Sequence, residues 1–192
     1  MRTVRPVSAA EVVAAFLRAE YASSRFGGCV RAGLSAARMP ADVVTCPDLS
    51  DRRANRARAR LLGTCRGWPD RGLFAGLPAD VPWALAEMTV RELRRVRLIR
   101  CPPWTELTGG SLLAPVALPV GSELRAASDG VLERLLAGDV PPAPILLRGA
   151  GELVVLEGNL RVASLLRKPE LAPNTLFAYI GAVPDIDRWA FF

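Results

Sequence analysis

Between Gly151 and Leu166 the apolar residues change period once, and that change dictates a strand, a turn and a helix in immediate succession. Leu153-Val-Val-Leu156 is an apolar run of the length of a buried strand, with two β-branched residues at its centre. From Leu160 onward the spacing Leu160, Ala163, Ser164 and Leu165-Leu166 fits one face of a helix. Glu157-Gly158-Asn159 lies between the two as a tight turn that opens the helix. The free N–H groups of the first helical residues and the positive end of the helix dipole converge at such a turn, and Arg161 falls inside it. These are the physical requirements for holding a phosphate or another anion.

The 192 residues suffice for a full core, in one domain or one domain with a helical appendage. Half of them are hydrophobic and 23% are charged, which favours a folded chain over a disordered one. No apolar run approaches the ~20 residues that span a bilayer. Met1 to Ser8 lacks the apolar core of a secretory signal, so the expectation is a soluble cytoplasmic protein that does not enter a membrane.

The absence of histidine removes whole classes of chemistry. Ser-His-Asp and Cys-His catalysis and the HExxH metalloproteases are excluded. Catalysis must use carboxylates, arginine, a hydroxyl, or a metal held by oxygen. A zinc site would need all four widely spaced cysteines, Cys29, Cys46, Cys65 and Cys101, so no protein-held metal is expected and the thiols read as reduced and structural. The net charge of +6 is almost entirely arginine, Lys168 being the only lysine. Abundant arginine, alanine, proline and glycine match the bias of a GC-rich genome. The field still favours anionic partners.

Ser8-Ala-Ala-Glu11 has the form of a capping box, and Val12, Phe16 and Leu17 continue a helix toward Tyr21. A short helical piece is expected near Leu34–Arg38 and a short strand at Asp42–Thr45. Asp51 to Gly63 reads as an exposed helix whose Arg52, Arg53, Arg56, Arg58 and Arg60 lie on several faces, solvated rather than gripping nucleic acid. Gly63–Pro82 is too apolar for a floppy linker and reads as an ordered loop. Thr89-Val-Arg-Glu92 is a second capping box, opening a helix through Leu93 and Val96 toward Ile99. Cys101-Pro-Pro-Trp104 stops regular structure and suggests a boundary between a mainly helical segment, 1–105, and a second domain, 106–192. In the second part, Ser128-Asp-Gly130 precedes a helix at Val131–Leu136. Strands follow at Ile145–Leu147, Leu153–Leu156 and Leu176–Ile180, with a hairpin turn at Gly149-Ala-Gly151. The aromatic tail through Trp189 and Phe191 is expected to dock on the body.

This order resembles the amino-terminal domain of the ParB/sulfiredoxin superfamily over roughly residues 112–181. The resemblance is carried by a helix, Pro144-Ile-Leu-Leu147, a glycine turn, Leu153-Val-Val-Leu-Glu-Gly-Asn-Leu-Arg161 and Val162-Ala-Ser-Leu-Leu166. It implies an α+β fold, a small mixed sheet with flanking helices. It also implies a nucleotide whose phosphates sit at the Gly-x-x-Arg turn, matched here by Gly158-Asn-Leu-Arg161. Glu157 occupies a place where many ParB-like proteins carry an acidic residue. The chain departs from sulfiredoxins, which need a cysteine between that glycine and arginine where Asn159 and Leu160 stand. Phe26-Gly-Gly-Cys-Val-Arg31 imitates the sulfiredoxin Phe-Gly-Gly-Cys-His-Arg string, but it follows a helix and has valine for histidine, so it is read as coincidence.

The expected site is therefore Gly158, Asn159 and Arg161 on the phosphate, with Ser111 of Thr108-Gly-Gly-Ser111 at the rim. Glu157 would act as general base or as ligand to the Mg²⁺ of a nucleotide, in a phosphoryl transfer. The alternative is a non-catalytic nucleic-acid-associated or regulatory interaction module. Its exposed apolar segments, 63–83 and 189–192, would dock a partner protein or a second copy of the chain.

Overall fold

A computed structural model describes residues 1–23, 25–149 and 151–192. The fold is mixed α+β, with a five-stranded open sheet in the order β1-β2-β5-β3-β4. β1 (Arg2–Val7) and β2 (Trp83–Met88) pair antiparallel, and β2 pairs antiparallel with β5 (Leu176–Ala182). β3 (Ile145–Gly149) runs parallel to β5 and antiparallel to β4 (Glu152–Glu157). β3 and β4 join as a hairpin with Gly149 opposite Glu152 and Gly151 at φ +80°; Ala150, the centre of the expected turn, lies outside the described residues.

Eight α-helices complete the described residues. α1 (Ala9–Tyr21), α2 (Gly27–Ala36), α3 (Asp42–Thr45) and α4 (Arg52–Arg66) come before β2. α5 (Val90–Leu93) and α6 (Trp104–Leu107) are single turns, followed by α7 (Glu123–Leu136) and α8 (Asn159–Arg167). The mainly helical first segment expected from the sequence thus supplies two strands as well, and the sheet crosses the expected boundary near residue 105. One apolar core runs through both parts, from Val12, Phe16 and Leu17 of α1 to Val155, Val162 and Ile180.

β1 escaped sequence reading because it is an edge strand: all but Val7 are exposed, and Arg2, Arg5 and Pro6 break any apolar alternation. The opposite edge, β4, is covered rather than charged. Arg97 donates its N–H to the Leu153 carbonyl and accepts from the Val155 N–H, both at 2.8 Å.

Asp42–Thr45 is helical, not the expected strand. Four residues with two valines carry too little pattern to decide. Arg58 favours the helix by donating to the Val43 carbonyl of α3 at 2.9 Å, an acceptor the helix end leaves open, and to the Asp48 carbonyl of the following loop at 2.8 Å. Arg58 is fully buried to do this, while Arg52, Arg53, Arg56 and Arg60 are exposed. At 100° per residue those four fall on one side of α4, so the arginines form a stripe instead of scattering.

Ser122, not Ser128, caps α7, accepting the Arg125 N–H at 3.1 Å. Ser128 lies one helical layer deeper, fully buried, 2.7 Å from the Ser164 hydroxyl across the α7–α8 interface. The Thr89–Glu92 capping box forms in both directions, yet its helix stops after one turn. The chain then turns so that Arg97 can pair with β4. Ser8 caps α1, but Glu11 turns to Arg5 at 2.6 Å instead of closing the box.

Cys29 and Cys65 are joined in a disulfide, correcting the expectation of four reduced thiols; Cys46 and Cys101 are free. α2 and α4 pack side by side and bring the two Cα atoms to 5.9 Å, a proximity that a separation of 36 residues does not reveal. The aromatic tail docks as expected: Trp189 is buried and its indole donates to the Leu73 carbonyl at 2.8 Å. Among the described residues no helix is long and apolar enough to cross a membrane.

Candidate functional site

β4 ends at Glu157, and Gly158 turns the chain into α8 with φ +97° and ψ 22°. That left-handed conformation favours glycine. A Cβ on Gly158 would also stand 2.8 Å from Arg161 Nη2 and 3.2 Å from its Nε, so any other residue would push the guanidinium aside. Having no side chain, Gly158 leaves the first amides of α8 without a side-chain cap. The Arg161 guanidinium folds back over the turn, its Nη2 3.4 Å from Glu157 Oε1. Both side chains are mostly buried, and Arg161 Nε is buried without a hydrogen-bond partner.

Asn159 has a different task from the one expected. Its Oδ1 accepts the Ile99 N–H at 2.9 Å, pinning the segment after α5 to the start of α8. The oxygen is thereby committed to structure, which leaves the backbone N–H and the Nδ2 donors of Asn159 for an anion. Ser111 is exposed, and its hydroxyl donates to the Thr108 carbonyl at 3.0 Å; no hydrogen bond or ion pair among the described residues ties it to Glu157 or Arg161. Trp104 is a buried core residue.

The turn has neighbours that sequence reading missed. Glu20, in the last turn of α1, is 3% exposed and lies 3.6 Å from Arg66 Nε at the end of α4. Arg66 stacks 3.8 Å above the Phe26 ring, which shields its guanidinium from water. Arg66 Nε, like Arg161 Nε, is buried without a hydrogen bond. Glu20 and Arg66 form one ion pair and Glu157 and Arg161 another, and the charges of Glu157 and Arg161 also act on Glu20. Burial pushes the Glu20 carboxyl up to about 7, with repulsion from Glu157 adding to the rise. Arg66, Ser23 and Arg161 pull the other way. Burial likewise lowers the Arg66 guanidinium from its ordinary value. Cys101 borders the group near Arg25 and Arg66, but burial raises its thiol, so it stays protonated and a poor nucleophile at neutral pH.

The turn offers amide N–H groups, the Arg161 guanidinium and the Glu157 carboxylate, a set suited to gripping an anion and moving a proton beside it. It is filled by its own side chains. Two clefts lie elsewhere: one of about 720 Å³ between α2 and α4, lined by Gly33, Arg38, Arg53, Ala57, Arg60 and Leu61. Another, of about 460 Å³, lies beside the β3–β4 hairpin. The first combines an apolar floor with Arg38, Arg53, Arg60, Asp51 and Thr64 at its walls, whereas the Gly158 turn joins a buried ion pair to an uncapped helix start. Among the described residues no three cysteine, aspartate or glutamate side chains converge as a metal's ligands. Comparison with protein-family models, with curated proteins and with solved structures gives no match for this chain.

Proposed function

We propose that this protein binds a nucleotide or another phosphorylated small ligand at the Glu157–Arg161 turn, with phosphoryl transfer as the chemistry the site is equipped for. The observation that carries this reading is the Arg161 guanidinium, folded onto an uncapped helix start with its Nε buried and unpartnered. A buried donor left without an acceptor costs about 1–3 kcal/mol, and a phosphate oxygen removes that cost. The first amides of α8 and Arg161 bind the phosphate, and Glu157 takes a proton or orients the attacking group. Mg²⁺ carried on the phosphates of a nucleotide would find a carboxylate ligand in Glu157. The β3–β4 hairpin followed by α8 supports a ParB/sulfiredoxin-like reading of this part of the mixed sheet. Asn159 and Leu160 stand where a sulfiredoxin needs cysteine, so reductase chemistry is not part of the proposal.

A second reading has its own observation. Arg52, Arg53, Arg56 and Arg60 form an exposed stripe on α4, and none of them pairs with a carboxylate among the described residues. Such a stripe suits a nucleic-acid backbone.

One experiment separates the two. Thermal unfolding is followed with ATP, ADP, CTP and GTP plus Mg²⁺, and with duplex DNA at two salt concentrations, for wild type and Arg161→Ala. A ligand at a hundred times its Kd adds about 2.7 kcal/mol to stability. The proposal predicts a nucleotide-dependent rise in Tm that Arg161→Ala abolishes. No nucleotide effect, with stabilisation by DNA that fades at high salt, would favour the second reading.

A further inference from the structure

The groove between α2 and α4 has a regular pattern along its α4 wall. That wall runs from Asp51 to Thr64, about 20 Å at the helical rise. Ala54, Ala57, Leu61 and Thr64 line it at the alternating three- and four-residue spacing that forms the seam of a coiled coil. α2 supplies the other wall, and Gly33 lets the two helices touch at the floor, where a Cβ would collide with the Leu61 side chain. Small side chains on both walls leave a channel that takes large ones from a third helix. The Cys29–Cys65 disulfide joins the same two helices, so the channel keeps its width without an occupant.

The rim of this channel is positive. Arg53 and Arg60 stand one heptad apart on the flank of the seam, where coiled-coil helices carry their pairing charges. Arg38 borders the groove beyond the end of α2. All three are exposed, and none pairs with a carboxylate among the described residues. Asp51 is the one acidic residue on the groove, and its Oδ1 is taken by the Arg53 and Ala54 N–H groups at the start of α4. Arg38 has φ 52°, and the Arg38 and Met39 N–H groups close the end of α2 on the Ser35 and Leu34 carbonyls. Glycine takes that left-handed position at the lowest conformational cost. An arginine held there against the preference brings a third guanidinium to the groove.

We propose that the α2–α4 groove docks an acidic amphipathic helix of a partner protein. The apolar face of that helix packs on Ala54, Ala57 and Leu61, and carboxylates one heptad apart meet Arg53 and Arg60. Arg38 takes a further carboxylate from the α2 side. This surface is separate from the phosphate-binding turn, and neither reading depends on the other. Nucleic acid answers the arginines but not the channel, because a phosphate backbone has no apolar side chain to bury between two helices. A second copy of the chain is a poorer match, since it brings its own net charge of +6 to a positive rim.

Fluorescence anisotropy tests this with a labelled helical peptide about three heptads long, leucine at its a and d positions and glutamate at e and g. Two control peptides carry lysine for glutamate or serine for leucine, and labelled duplex DNA is a third control. The glutamate–leucine peptide is expected to bind saturably, and each control peptide at least about tenfold more weakly. Arg53→Glu/Arg60→Glu is expected to weaken it by about tenfold or more, since two attractive pairs become repulsive. Arg38→Gly separates docking from folding. It should raise Tm by relieving the left-handed backbone, and still weaken the peptide about threefold. No saturable binding of the glutamate–leucine peptide, or equal binding of the serine peptide, would overturn the proposal. Duplex DNA that binds more tightly than the peptide and is lost in the Arg53→Glu/Arg60→Glu variant would assign the arginines to nucleic acid instead. Dimerisation in sedimentation, abolished by the same variant, would give the groove to a second copy of the chain.

Discussion

Gly158 and Arg161 constrain one another at the turn. The glycine holds a left-handed φ of +97°, and the space its missing Cβ leaves is occupied by the Arg161 guanidinium. Gly158→Ala is expected to lower stability by about 1–2 kcal/mol from backbone strain alone and to displace the guanidinium. Urea unfolding measures the loss, and an unchanged midpoint would mean that the turn relaxes freely. This pair was legible in sequence because a period change brackets it. Asn159 was not: a side chain one residue along gives no sign that its oxygen will be consumed by the Ile99 amide. Arg58 was misread for a related reason. Arginine on a helix is ordinarily solvated, and the Val43 and Asp48 carbonyls with the Asn55 side chain make its burial tolerable.

The elements that carry Arg66 and Glu20 are held together by the Cys29–Cys65 disulfide. It ties α2 to α4, both of which pack on α1. Closing a loop of this length restricts the unfolded chain and adds about 2–4 kcal/mol. The double variant Cys29→Ser/Cys65→Ser is expected to lose that amount, and wild type in reductant should unfold with the variant's midpoint. Equal midpoints for oxidised wild type and the variant would show that packing alone fixes α2 on α4. Strong local signals located α1 and α4, the caps at Ser8 and Thr89 and the β3–β4–α8 succession, whereas α2 and the first half of α7 were not foreseen. The weak elements were lost. β1 has no buried face to imprint a pattern, and α3 is too short to show one.

Across the whole molecule, the sheet sets first-half strands beside second-half strands, and the Asn159 side chain ties the start of α8 to Ile99 in the same way. Glu20 and Arg66 come from helices before β2, whereas Glu157 and Arg161 flank a turn after β4. Sequence reading found the second pair through a local motif. The first pair was invisible because its meaning lies in a long-range contact between ordinary-looking helix ends.

The account's central claim is that an anion binds at the start of α8. The most direct measurement is a ¹⁵N–¹H NMR titration of the uniformly labelled protein with pyrophosphate. The prediction is saturable shifts at the amides of Asn159, Leu160 and Arg161, with Arg161→Ala removing them. No shift at these amides, or saturable shifts confined to the α2–α4 groove, would contradict it.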